Sequence, residues 1–100
     1  MVGVSAIPTV KLRYLAVLKG LSSEPTRAVT VNASSLGDLF NYLREIEPPQ
    51  VKSRLFEDDG SLRPDIVVFL NGVDASLLGG MKAQLKEGDE VTVLPSVHGG

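Results

Sequence analysis

The sequence predicts an α+β fold, a small mixed sheet with one long helix packed on one of its faces. Three observations carry this. A stripe of apolar residues at helical spacing sits in the middle of the chain. A pair of β-prone runs precedes it. Further β-prone runs follow it, the clearest ending in Asn71-Gly72.

The helix is the best-defined element. Leu36, Leu39, Phe40, Leu43 and Ile46 recur at intervals of three and four, so they fall on one stripe, while Asn41, Arg44 and Glu45 face water. Ser35 stands where a cap is needed. Asp38, three residues on, is placed to return the hydrogen bond as a capping box. Pro48 and Pro49 stop the helix, and a second, shorter one is expected over residues 49–56, because proline suits a first helical turn and Val51 and Leu55 share a face. Asp58-Asp59-Gly60-Ser61 then reads as a turn.

Before the helix, Val10, Leu12 and Tyr14 alternate with Lys11 and Arg13, the pattern of a half-buried strand starting near Thr9. The alternation fails over residues 16–21. Gly20, Ser22, Ser23 and Pro25 suggest a loop leading to a second strand at residues 27–31, paired with the first. After the helix, residues 66–70 form a continuous apolar, β-prone run. Asn71-Gly72 suits the positive backbone angles of a tight hairpin, with a short return strand near Val73. A single helical turn is expected over residues 81–85, then a Glu87-Gly88-Asp89 turn and a last strand at residues 90–94, closed by Pro95. No repeat or linker divides the 100 residues. Residues 1–100 read as one domain, with 96–100 as a flexible diglycine tail.

Composition narrows the chemistry. Ten Lys and Arg against 12 Asp and Glu leave a net charge of −2, with no basic footprint for nucleic acid. No apolar run is long enough to span a bilayer, and the opening residues lack a signal-peptide pattern, so a soluble, cytoplasmic protein is expected. With no cysteine there is no disulfide, thiolate nucleophile or Cys-based zinc site, and the one histidine, His98, has no second ligand beside it. Neither a metal nor a bound cofactor is expected.

The order of elements, Leu70-Asn71-Gly72-Val73, the Glu87-Gly88-Asp89-Glu90-Val91 turn into a strand, and the closing Gly99-Gly100 together resemble the MoaD/ThiS family of β-grasp, ubiquitin-like sulfur carriers. The likeness runs from about Val10 to Gly100 and is nearest to the molybdopterin synthase small subunit or an archaeal small modifier protein. His98 departs from the small residue more usual there, and the segment from Pro48 to Pro64 is longer than in the smallest members.

The resemblance implies a function. An E1-like, MoeB-like adenylyltransferase would use ATP to join the Gly100 carboxylate to AMP, and a sulfur donor would displace AMP to leave a thiocarboxylate. A MoaE-like large subunit of molybdopterin synthase would receive the sulfur, making this chain a sulfur-donor subunit rather than an independent catalyst. The alternatives are a protein modifier joined to target lysines and a non-covalent β-grasp binding module. Glycine without a β-carbon lets Gly99-Gly100 thread a narrow channel; the plainer reading is a disordered end. His98 reads either as a proton-transfer group or as a solvated linker residue. It is grouped with Val97 as partner-binding. Lys11 and Arg13 read as contacts to an acidic groove or as the wet face of a strand. Val67 and Phe69 stay open between two readings. If Ile66, Val68 and Leu70 point into the core, alternation turns Val67 and Phe69 to the other face as a docking patch; the other reading is that the facing is reversed or that neighbouring loops cover the pair.

Overall fold

The computed structural model describes residues 7–96. Strand β1, Thr9–Tyr14, is followed by a short helix α1, Val17–Leu21, and strand β2, Thr26–Thr30. Helices α2, Leu36–Ile46, and α3, Pro49–Leu55, come next. Strand β3, Ile66–Leu70, turns through Asn71-Gly72 into β4, Val73–Asp74. Two 3₁₀ turns, Ala75–Leu78 and Gly80–Lys82, lead on to strand β5, Glu90–Pro95.

The five strands lie in the order β2-β1-β5-β3-β4. β1 runs parallel to β5, with Leu12 beside Val91 and Tyr14 beside Val93, and the remaining pairs are antiparallel. The last strand therefore occupies the centre. Asn71 and Gly72 take φ values of 52° and 82°, the left-handed pair that a two-residue hairpin requires.

One face of the sheet buries Val10, Leu12, Tyr14, Val68, Val91 and Val93 against the helices. Leu36, Leu39, Phe40 and Leu43 of α2 enter the same core, together with Leu18 of α1 and Val51 and Leu55 of α3. Phe40 meets Phe56 edge to face at 6.4 Å between ring centroids. The helical layer is thus α2 with two short companions rather than one helix alone.

Ser35 caps α2 by accepting the Asp38 amide at 3.2 Å. The return bond differs from the expected box: the Asp38 carboxylate accepts the amide and hydroxyl of Ser34. Ile46 does not join the apolar stripe. It is 47% exposed at the last turn, where Glu47 turns inward instead. Arg44 is half-buried rather than wet: its Nε donates to the Gly60 carbonyl at 2.9 Å and its guanidinium stacks 5.0 Å from the Phe56 ring centroid. The loop expected over residues 16–21 contains α1, whose one buried side chain, Leu18, anchors it. The helical turn expected over 81–85 lies earlier, at Gly80–Lys82, and Gln84 is extended in its bridge to Ser35.

One buried polar group crosses these layers. The Glu47 carboxylate, 8% exposed, accepts hydrogen bonds from the Tyr14 hydroxyl and from Arg27 Nη2, the latter at 2.9 Å. It ties the end of α2 to both strands of the first hairpin, and its pairing answers the cost of burying charge.

Candidate functional site: the open sheet face and the exit from the last strand

Alternation along each strand sets up the face opposite the helices. Lys11 and Arg13 of β1, Glu90, Thr92 and Leu94 of β5, and Val67 and Phe69 of β3 all point there. The registers join them into rows. Arg13 lies beside Thr92 and Thr92 opposite Phe69, while Leu94 lies opposite Val67. Ile66, Val68 and Leu70 do face the core, so the sequence-based facing of β3 is correct. Val67 and Phe69 are each half-buried, between the two readings open for them.

The face has two characters. Near the end of β5, Val67, Phe69 and Leu94 make it apolar. Near the start, Arg13 Nη1 donates to the Glu90 carboxylate at 3.4 Å, and Lys11 Nζ lies 3.9 Å from the same oxygen. Sequence reasoning missed Leu94, although the inward pair Val91 and Val93 was signal enough to turn it outward.

The exit from β5 is fixed by the ladder. Pro95 pairs with Ile66 at a position whose backbone groups face away from β3, so its missing N–H costs no bond there. Ser96 N–H then donates to the Asp65 carbonyl at 2.6 Å. The Asp65 carboxylate is gripped by Arg54 of α3, with Nη2 to Oδ2 at 2.6 Å and Nη1 to Oδ1 at 3.3 Å. The Arg54 hydrogen bond holds the Asp65 carboxyl below its ordinary range. Residues 54 and 65 carried no local signal of this role, since their pairing depends on how α3 lies against β3.

Val97, His98, Gly99 and Gly100 lie outside the described residues. Among the described residues, no group of three His, Cys, Asp or Glu is gathered to hold a metal, and no helix is long and apolar enough to cross a membrane.

The strand order, the central parallel pair and the helix-backed sheet define a β-grasp, ubiquitin-like domain. The model of the Urm1 (Ubiquitin related modifier) family matches residues 9–100, and the chain belongs to that family of ubiquitin-like sulfur carriers and modifiers. It is 36% identical over 70 residues to Ubiquitin-related modifier 1 of Schizosaccharomyces pombe, covering 70% of this chain and 72% of the relative. It is 33% identical over 91 residues to small archaeal modifier protein 3 of Haloferax volcanii, covering 90% and 97%. Against four fungal relatives the matched segment spans from 41% to 72% of their own length. The solution structure of small archaeal modifier protein 1 from Methanosarcina acetivorans superposes with a TM-score of 0.77 at 28% identity, covering 93% of this chain and 97% of that one.

Proposed function

We propose that this chain is a sulfur carrier whose reactive group is the Gly100 carboxylate. The observation that carries the reading is the family match, which runs through the central strand to Gly99-Gly100. The partner is an E1-like adenylyltransferase, MoeB-like in its chemistry. The carboxylate attacks the α-phosphate of ATP, pyrophosphate leaves, and the acyl adenylate gains a leaving group far better than oxide. A donor supplying sulfur at the sulfide level then displaces AMP, forming the C–S bond as the bond to AMP breaks and leaving a thiocarboxylate. The rigid part of the chain contributes the open face for docking, through Val67, Phe69 and Leu94, and a fixed exit at Ser96. Val97 and His98 are proposed to line the partner's channel, with Gly99 narrow enough to pass it.

The acceptor favoured by the sequence reading is a pyranopterin precursor held by a MoaE-like large subunit of molybdopterin synthase. A second reading has support from relatives named as modifiers: a target lysine attacks the activated terminus and forms an isopeptide bond. Both readings use the same adenylate and differ in the nucleophile.

The test is intact mass of the chain after incubation with ATP, the cognate E1-like enzyme and a sulfur donor. Exchange of one oxygen for sulfur at Gly100 is expected. Deleting Gly99 and Gly100 should leave the thermal melt unchanged and abolish ATP-pyrophosphate exchange, because a displaced carboxylate misses its alignment with the α-phosphate. A bulky residue in place of Gly99 should act alike. Unaltered exchange and loading in the double deletion overturns the proposal. Lysines bearing the remnant of residues 87–100 after trypsin digestion, with no thiocarboxylate, favour the modifier reading.

A further inference from the structure

Independently of the tail, one edge of the sheet is left open. β4 pairs only with Phe69 and Leu70, so among the described residues no strand lies on the outer side of residues 66–68 of β3. The direction of their backbone groups follows from the register. The Asp65 carbonyl accepts from Ser96, and the Asn71 amide donates to Glu90, so residues 65, 67, 69 and 71 turn their backbone groups toward β5. Those of 66, 68 and 70 point the other way. Leu70 meets Val73 in the hairpin, and the Ile66 amide donates to the Arg63 carbonyl at 3.0 Å. The Phe69–Asp74 pairing brings the Ala75 amide to the Val68 carbonyl, so the Ile66 carbonyl and the Val68 amide are left over. Among the described residues none supplies them with a hydrogen bond.

These groups border a cleft of about 340 Å³, lined by Ile66, Val67 and Val68, by Leu62 and Met81, and by Asp74. Its walls are largely apolar. The charged group is Asp74, which takes the Ser76 amide on Oδ1 and has no Lys or Arg partner among the described residues. That bond to the Ser76 amide holds its carboxyl below the ordinary range, so it is ionised at neutral pH. Val67 belongs both to this cleft and to the open sheet face.

We propose that this edge takes up an extended segment of a partner protein as an added strand beside β3, with apolar residues at alternate positions and a basic residue facing Asp74. A strand is the ligand whose backbone matches donors and acceptors spaced along another strand. Its alternate side chains fall on the two faces of the sheet. One set enters the cleft between Leu62 and Met81. The other extends the row that begins at Val67, so the segment widens the open face instead of competing with it. Three edge residues give a contact of about 10 Å, enough for a short motif and too little for a stable sheet-to-sheet dimer. The negative cleft selects for Lys or Arg in the segment.

The experiment is amide hydrogen exchange and chemical-shift mapping on the ¹⁵N-labelled full chain. The probe is a synthetic peptide, Lys-Val-Thr-Val-Thr-Val-Lys, acetylated and amidated, compared with the same peptide N-methylated at its central valine. In the free chain the Val68 amide should exchange at least about tenfold faster than those of Val67 and Phe69, which already bond to β5. With about 1 mM peptide, Val68 exchange should slow by about tenfold, with shifts centred on residues 66–68 and Met81. N-methylation should abolish the effect. Asp74→Asn should weaken it several-fold while leaving the melting temperature unchanged. A Val68 amide protected in the free chain, unchanged exchange with peptide, or shifts confined to Lys11 and Arg13 each overturn the proposal. Protection that rises with protein concentration alone points to a second copy of the chain and overturns it too. ATP-pyrophosphate exchange, which reads the tail, is unaffected by any of these outcomes.

Discussion

Asp65 holds Ser96 through its carbonyl and is itself held by Arg54 through its carboxylate. One residue thus couples the exit of the last strand to helix α3, and the direction in which the chain leaves the sheet depends on a side chain 42 positions earlier in sequence (96 − 54).

Arg54→Ala should therefore reduce adenylation of Gly100 more than it reduces stability. A loss of about tenfold in rate is expected with little change in the melt, because a small misdirection of the terminus matters where reacting atoms must be aligned. Arg54→Lys should recover part of the rate. The acid side offers a separate reading. The pair holds the Asp65 carboxyl below its ordinary value of 3.8, so its contribution is present above that pH and is lost as pH falls through the lower folded-state value. The stability profile of Arg54→Ala should be flatter below pH 4 than that of the parent. Equal rates and superimposable acid limbs would remove Arg54 from the positioning role.

Phe40→Ala should destabilise the fold by about 3–5 kcal/mol in chemical denaturation. The ring is 2% exposed and loses its edge-to-face partner Phe56 as well as its transfer energy. A variant with the parent's midpoint contradicts the packing of α2.

Tyr14→Phe keeps the ring and removes one of the two donors to the buried Glu47 carboxylate. A loss of about 1–3 kcal/mol is expected at neutral pH. Burial, then the Glu47 hydrogen bond and charge, push the Tyr14 hydroxyl far above its ordinary value of 10. A raised folded value means the contribution is complete below pH 10 and is lost as pH climbs beyond it, so the parent should lose stability in alkali more steeply than Tyr14→Phe. Parallel alkaline limbs in the two proteins would argue against this.

Val67→Asp combined with Phe69→Lys should weaken binding to the activating enzyme by more than it weakens folding. Both side chains are half-buried on the open face and neither belongs to the core cluster. Calorimetry of the complex beside a thermal melt separates the effects, and unfolding of the double variant supports a structural role for the pair.

Local signals in the sequence reached far into this fold. The stripe from Leu36 to Leu43 and its Ser35 cap produced α2 with its observed ends, and Asn71-Gly72 produced the hairpin, since both depend on residues within a turn of one another. What escaped was set by distance. The five residues of α1 carry a glycine and no side-chain cap, and their helix rests on the burial of Leu18, which only the finished core supplies. Ile46 fits the helical period yet is displaced from the core because Glu47 turns in to meet Tyr14 and Arg27, residues 33 and 20 positions away. At the candidate site, Val67 and Phe69 followed from alternation. The grip of Arg54 on Asp65 has no spacing rule behind it, and no local turn announces the parallel pairing of β1 with β5.

That pairing bears on how the protein is made. β5 fills the gap between β1 and β3, so during synthesis the first hairpin waits with an unpaired inner edge until the last strand has emerged. A chain stopped before Glu90 lacks the centre of its sheet, leaving the core faces of Leu12 and Val68 without Val91 and Val93 between them. Such a fragment exposes apolar surface that the complete sheet buries, the kind of state on which proteases act. Placing β5 in the middle of the sheet makes completion of the fold wait on synthesis of its last strand.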